Sequence, residues 1–292
     1  MSATLTLNQK IHSQLMLFLQ LTRLTRPIGI WVLWWPTSWA LWIATHGQFN
    51  GLWALFFLGT IIMRSAGCIW NDYSDQDIDP LVARTSSRPL ATKAIHPKLA
   101  LAYLFVLFII ALAIASQLNN TALMLAFFAA ALTMLYPLTK RFFPIPQIFL
   151  GFAFAMAVPI AFAAQNMLMH LACAWLTLAA FLWPLAYDSI YAMSDQADDL
   201  KVGIYSAPIT LGTHTLKLVY GCHMLFITCL LMCAQSLNPK PFFFLMVAGY
   251  LACILVQYKA IKKGAYQAVF QQYKWLGAFI LSGFMFGIPF NP

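Results

Sequence analysis

Residues 71–89 read NDYSDQDIDPLVARTSSRP, and residues 187–206 read YDSIYAMSDQADDLKVGIYS. The first stretch holds Asp72, Asp75, Asp77 and Asp79; the second holds Asp188, Asp195, Asp198 and Asp199. These eight are the only carboxylate side chains in 292 residues, because the chain has no glutamate. Acids kept for solubility are interspersed over a surface. Two clusters holding every acid predict two halves of one cation-binding site.

The surrounding sequence sets where that site sits. Hydrophobic residues make up 62% of the chain and charged residues 9%, with a mean hydropathy of +0.75. A soluble domain carries about 25% charge, so a polytopic, all-α membrane protein is expected. A span needs about 20 apolar residues. Nine runs qualify: 28–45, 51–70, 99–117, 121–138, 145–164, 170–187, 213–235, 242–257 and 275–290. The first is rich in tryptophan, which suits a helix reaching both interfaces, and the second carries Arg64. Ile11, Leu15, Phe18 and Leu19 share a helical face ahead of the first run and predict an interfacial helix. Residues 1–14 are polar and the apolar run that follows is short, so no cleavable leader is expected.

Charge orients the spans. Fifteen basic residues fall on one side with both acidic windows, and only Lys240 falls on the other. Positive charge marks the cytoplasmic side, which places the N-terminus and both windows there. Each window fills a long inner segment after the second span of a four-span unit. One membrane-embedded domain is expected over 1–292, with related halves at 15–141 and 142–257 and a final helix at 275–290.

Within the windows, Asn71, Asp75 and Asp79 are spaced to share one helical face, and so are Asp195 and Asp199. Asp72 leans toward the first set and Asp188 lies two turns before the second. Stacked like charges repel unless a cation lies between them. Oxygen ligands without His or Cys select a hard ion such as Mg²⁺, which often shares phosphate oxygens with the protein. Arg84, Arg88, Lys140, Arg141 and Lys201 lie on the same face. They are either donors to a diphosphate or plain topology charges. Arg64 should face the bundle interior. Tyr73, Tyr187 and Tyr191 serve as interface anchors or as substrate contacts. The six cysteines lie in apolar runs without CxxC spacing, and the six histidines show no metal-ligand spacing.

These residues resemble a known family. Asn71-Asp72 with Asp75 and Asp79 is similar to the NDxxDxxxD signature of UbiA-type intramembrane prenyltransferases. Asp188, Tyr191-Ala192, Asp195, Asp198 and Asp199 are similar to its DxxYAxxDxxDD. Arg23 with Pro27-Ile28-Gly29, WWPTSWALWIA from Trp34 and MRSAGCIWNDY from Met63 resemble the 4-hydroxybenzoate polyprenyltransferase branch. The resemblance implies nine helices bundled around a central cavity, capped on the cytoplasmic side by the two motif loops. It implies Asn71, Asp75, Asp79, Asp195 and Asp199 as ligands of Mg²⁺ on a polyprenyl diphosphate. Arg64, Arg88, Arg141 and Lys201 become candidates for the diphosphate or for the carboxylate of 4-hydroxybenzoate, and Arg23 for the acceptor. Asp72 or Asp188 would orient or deprotonate the phenol, and Trp70, Tyr73 or Tyr187 would face the allylic cation. Other acceptors, namely dihydroxynaphthoate, homogentisate or haem, are the alternatives within the family. A cation-coupled transporter is the alternative outside it. No nucleic acid and no obligatory protein partner are expected; the bilayer is. Gln76, Gln196 and Ala83 depart from the family, which often has cations there.

Overall fold

A computed structural model describes residues 7–290, apart from the side chains of Leu7, Lys10 and Ile11. The interfacial-face expectation for Ile11 therefore lies outside the described side chains. The described chain is helical throughout. Helix α1 spans Leu7–Leu21, α2 Ile28–Ala44, α3 Gly51–Ser74, α4 Pro97–Ala115 and α5 Asn120–Thr139. Next come α6 Gln147–Ala155, α7 Ala157–Ala164, α8 Leu171–Ala192, the short α9 Gln196–Val202 and α10 Ala207–Leu211. Helices α11 Thr215–Gln235, α12 Pro241–Lys262 and α13 Tyr266–Gly287 complete the bundle.

Seven segments are long and apolar enough to cross a membrane: α3, α4, α5, the α6–α7 pair, α8, α10–α11 and α12. The other two expected spans differ for visible reasons. Helix α2 has 17 residues. Helix α13 has 22 but begins nine residues before the predicted 275, because its polar first half (Gln267, Gln271, Gln272) still buries Val269 and Tyr273. The expected fifth span is broken at Met156. Pro159 has no N–H for the Ala155 carbonyl and its ring crowds that oxygen, so α6 ends there. Side-chain caps start several spans: Asn50 on α3, Asn119 on α5, and the ring nitrogens of His96 and His170 on α4 and α8. Two histidines thus serve as caps.

Not all the tryptophans of α2 face outward. Trp39 is fully buried and its indole N–H donates to the Gly277 carbonyl at 3.0 Å; Trp42 donates to Phe284 O at 3.2 Å. A Cβ on Gly277 would lie 2.0 Å from the Trp35 ring, so glycine is what lets α13 approach α2. The main core joins α2, α8, α11, α12 and α13 around Trp39, Trp183, Phe226, Tyr250, Tyr273 and Phe284. A smaller cluster ties Leu21 of α1 to Ala66 and Ile69 of α3 and to Leu104 of α4. The outer faces of α4, α5 and α12 expose Phe105, Ile109, Phe127, Leu245 and Val256. Hydrocarbon chains are the solvent such faces fit.

Candidate active site

Both acidic windows line one cavity of about 860 Å³ at one end of the bundle. The first window enters it by leaving a helix. Asn71 and Asp72 belong to the last turn of α3, Asp75 closes that helix, and Asp79 opens a single 3₁₀ turn over Asp79–Leu81. The expected continuous helical face is therefore absent, yet the N–H of Asp79 donates to Asp75 O at 2.8 Å and keeps a helix-like step. Asp77 points out to solvent, as its phase predicts. In the second window Asp188 lies in α8, Asp195 stands at the N-cap position of α9 with its side chain directed elsewhere, and Asp199 sits one turn into α9. The cavity is lined by six carboxylates (Asp72, Asp75, Asp79, Asp188, Asp195, Asp199) and six basic groups (Arg23, Arg26, Arg64, Arg84, Arg88, Lys140).

Four of the six carboxylates are ion-paired within the cavity. Arg23 reaches Asp72 at 2.5 Å from an elbow held in the left-handed region, at φ 57°. Arg88 bridges Asp72 at 3.0 Å and Asp79 at 2.8 Å. Lys140 meets Asp75 at 2.5 Å. Arg84 donates to Asp195 through Nε and Nη2, at 2.9 and 2.6 Å, and stacks 4.8 Å from the Tyr191 ring centre. The Ala83 N–H donates to Asp198 at 3.1 Å, so the two motif loops are joined directly. Burial pushes the Asp75 and Asp79 carboxyls up, against the pull of Lys140 and Arg88 respectively. Burial, with Asp195 beside it, pushes Asp199 up to about 6. Burial and the neighbouring Arg23 pull Arg88 down.

Deeper in, Arg64 lies against Gly29, where a Cβ would stand 2.2 Å from its Nε. That Nε is buried and unpartnered. Asp188 lies beside Gln147 and within electrostatic reach of Arg64. Tyr187 is 2% exposed, lines the cavity and has a buried hydroxyl without a partner.

Other expected residues stay outside. Arg141 is exposed and donates to the Ser74 carbonyl at 2.5 Å, capping the end of α3. Lys201 is on the outer face of α9, 3.4 Å from Asp198. Trp70 and Tyr73 stack on each other away from the cavity, and the Trp70 indole N–H donates to Met134 O at 2.7 Å. Gln196 does not stand in for a cation: its amide donates to Pro208 O at 3.0 Å and ties α9 to α10. Three further residues line the cavity without having been expected as site residues: Tyr136, Gln147 and Phe270. Phe270 would have been found by extending the α13 period back past Trp275.

Whether Mg²⁺ fits is decided by the donor set. Among the described residues no three carboxylate, imidazole or thiol groups converge on one point, because basic side chains stand between the acids. The available donors are nonetheless all oxygens, which suits a hard cation. Asp75 Oδ1 is buried with no hydrogen-bond partner, and Asn71 donates to its other oxygen at 3.2 Å. A buried carboxylate oxygen left open in this way fits a metal bond.

A helical bundle that brings both acid windows, six basic groups and aromatic side chains onto one cavity has the parts of a membrane-embedded site for a phosphate ester. Residues 33–284 match the UbiA prenyltransferase family, and the chain belongs to it. It is 40% identical over 278 residues to a 4-hydroxybenzoate octaprenyltransferase of Nitrosomonas europaea, covering 94% of this chain and 95% of that one. Among solved structures, a UbiA homolog from Aeropyrum pernix K1 superposes with a TM-score of 0.78 at 23% identity, over 88% of this chain and 97% of the other. A UbiA homolog from Archaeoglobus fulgidus bound to GPP and Mg²⁺ superposes with a TM-score of 0.68 at 18% identity, over 91% and 99%.

Proposed function

We propose that this protein transfers an octaprenyl or similar polyprenyl group from its diphosphate to the ring carbon ortho to the hydroxyl of 4-hydroxybenzoate, a membrane step of ubiquinone biosynthesis. The observation that carries it is a single cavity lined by both acid windows, in a chain about 40% identical along nearly its whole length to relatives named for that reaction. Asn71, Asp75, Asp79, Asp195 and Asp199 would hold Mg²⁺, which when bound supplies Lewis-acid neutralisation of diphosphate charge.

The chain's own groups perform the rest. Arg84, Arg88 and Lys140, now on carboxylates, are placed to turn to phosphate oxygens as charge builds on the leaving group. The allylic C–O bond breaks and its electron pair leaves with the diphosphate. The Tyr187 and Tyr191 rings face the resulting cation. Ring π electrons of the acceptor form the new C–C bond, and loss of the ring proton restores aromaticity. Asp72 is held by two arginines, which leaves Asp188 as the base. Arg64 takes the acceptor's carboxylate. The packed core under the cavity keeps out water that would quench the cation.

Purified protein with Mg²⁺, octaprenyl diphosphate and a panel of aromatic acceptors tests this by mass spectrometry of the products. Prenylated 4-hydroxybenzoate as the main product is expected; preference for dihydroxynaphthoate or homogentisate reassigns the acceptor.

Two predictions arise here. A metal-ligating carboxylate must be ionised, and Asp199 takes up its proton near pH 6. Mg²⁺ affinity at fixed diphosphate is therefore expected to fall as pH drops through that value, by up to about tenfold per unit for one proton. Metal titrations at pH 5 and 7 that coincide would remove Asp199 from the ligand set. Orientation in a bacterial inner membrane follows from the basic side. A cysteine at the exposed Ser86 should react with an impermeant reagent only in inverted vesicles. Labelling in intact cells reverses the topology.

A further inference from the structure

His223, Tyr250 and Tyr273 form a hydrogen-bonded chain that the mechanism above leaves unused. They come from α11, α12 and α13, and all three are buried. His223 Nδ1 lies 3.0 Å from the Tyr250 hydroxyl, and Nε2 lies 2.9 Å from the Tyr273 hydroxyl. A neutral imidazole has one N–H and one bare nitrogen, so one tyrosine accepts while the other donates. Buried in this way, both bonds are shielded from water. One side chain per helix thereby fixes the rotation and height of α13 against its neighbours.

Helix α13 carries that constraint to the cavity. The Tyr273 ring packs 5.2 Å from Tyr187 and 5.7 Å from Trp183. One turn earlier, Phe270 stands between Tyr187 at 5.7 Å and Tyr191 at 4.7 Å. Residues 183, 187 and 191 are spaced four apart on α8 and interlock with 270 and 273 on α13. Phe270, Tyr187 and Tyr191 all line the cavity, and the Arg84 guanidinium lies over the Tyr191 ring. A shift of α13 therefore moves the aromatic wall and nothing in the metal-ligand set directly.

We propose that His223 is a positioning residue: through Tyr250 and Tyr273 it sets Phe270, and with it the Tyr187 and Tyr191 rings that hold the aromatic acceptor against the prenyl head. In its kinetic part this rests on the prenyl-transfer assignment above.

The test compares wild type with His223→Leu, Tyr273→Phe and His223→Gln, using 4-hydroxybenzoate and octaprenyl diphosphate. His223→Leu and Tyr273→Phe are expected to lose about tenfold in kcat/KM for the acceptor, as misplacement of a reacting pair does, with KM for the prenyl diphosphate unchanged. His223→Gln, whose amide both accepts and donates, is expected to recover most of that loss. Equal rises in both KM values, or a loss in His223→Gln as large as in His223→Leu, overturns the positioning role. A second readout needs no turnover. In 3-fluorotyrosine-labelled protein, the ¹⁹F resonances of Tyr187 and Tyr191, assigned with Tyr187→Phe and Tyr191→Phe, are expected to move in His223→Leu. If they stay in place, the coupling is wrong whatever the acceptor. A wild-type protein inactive on 4-hydroxybenzoate with moving resonances overturns the functional assignment and leaves the coupling standing.

Discussion

Replacing Asp75 or Asp195 by alanine is expected to lower turnover by at least ~100-fold, since a lost metal ligand costs ~3 kcal/mol or more of barrier. The two residues lie on different loops, and neither loop alone supplies the site. Each substitution also strands a cation: Lys140 loses Asp75 and Arg84 loses Asp195. An uncompensated buried charge costs about 3–5 kcal/mol, so stability must be separated from chemistry. Asp75→Asn and Asp195→Asn keep the shape and some hydrogen bonding, and their turnover should fall as far while the Mg²⁺ requirement rises. Steady-state rates across a Mg²⁺ titration, with melting temperatures alongside, make the measurement. Turnover within a few-fold of wild type in both alanine variants would sink the metal assignment.

The second large effect belongs to Arg64. Arg64→Met should lower kcat/KM for 4-hydroxybenzoate by about 100-fold, because truncating one partner of a hydrogen-bonded, largely desolvated charge pair costs about 2–5 kcal/mol. KM for the prenyl diphosphate should change little. A phenolic acceptor without a carboxylate should not distinguish variant from wild type. Gly29→Ala offers a gentler form of the same test, since its new methyl would occupy the guanidinium's place and displace it without removing the charge. Parallel loss for both substrates would move Arg64 from the acceptor to the diphosphate.

The acids of the site were legible because membrane sequences spend charge sparingly. With every carboxylate in two windows, both clusters could be found by inspection, and the phase that left Asp77 out was right. Span positions were legible for the same reason, since a long apolar run has few alternatives. What failed were inferences that needed a partner. The tryptophans of α2 have the composition of an interfacial belt, yet Trp39 is buried and bonded to the Gly277 carbonyl of α13. Arg141 and Lys201 sit at matching motif positions, but a helix-end carbonyl and an outward helix face claim them. The start of α13 was hidden because its glutamines sit on a helix whose other face is buried, so average hydropathy undercounts it. His223 gave no signal, because its two partners lie 27 and 50 residues away.

The equal count of acids and bases in the cavity has a kinetic side. The chain's net charge is +9, while the cavity walls sum to zero, six against six. All of the excess therefore lies outside the cavity, much of it in the basic loops at the acid-bearing end. Long-range attraction of an anion comes from exposed charge and is damped by salt over about 10 Å at 0.1 M. On the proposed function, capture and retention would fall to different groups. Exposed lysines and arginines would gather diphosphates to the membrane surface in a salt-sensitive way. The neutral interior would hold them by exchanging partners, a step that background electrolyte would affect less.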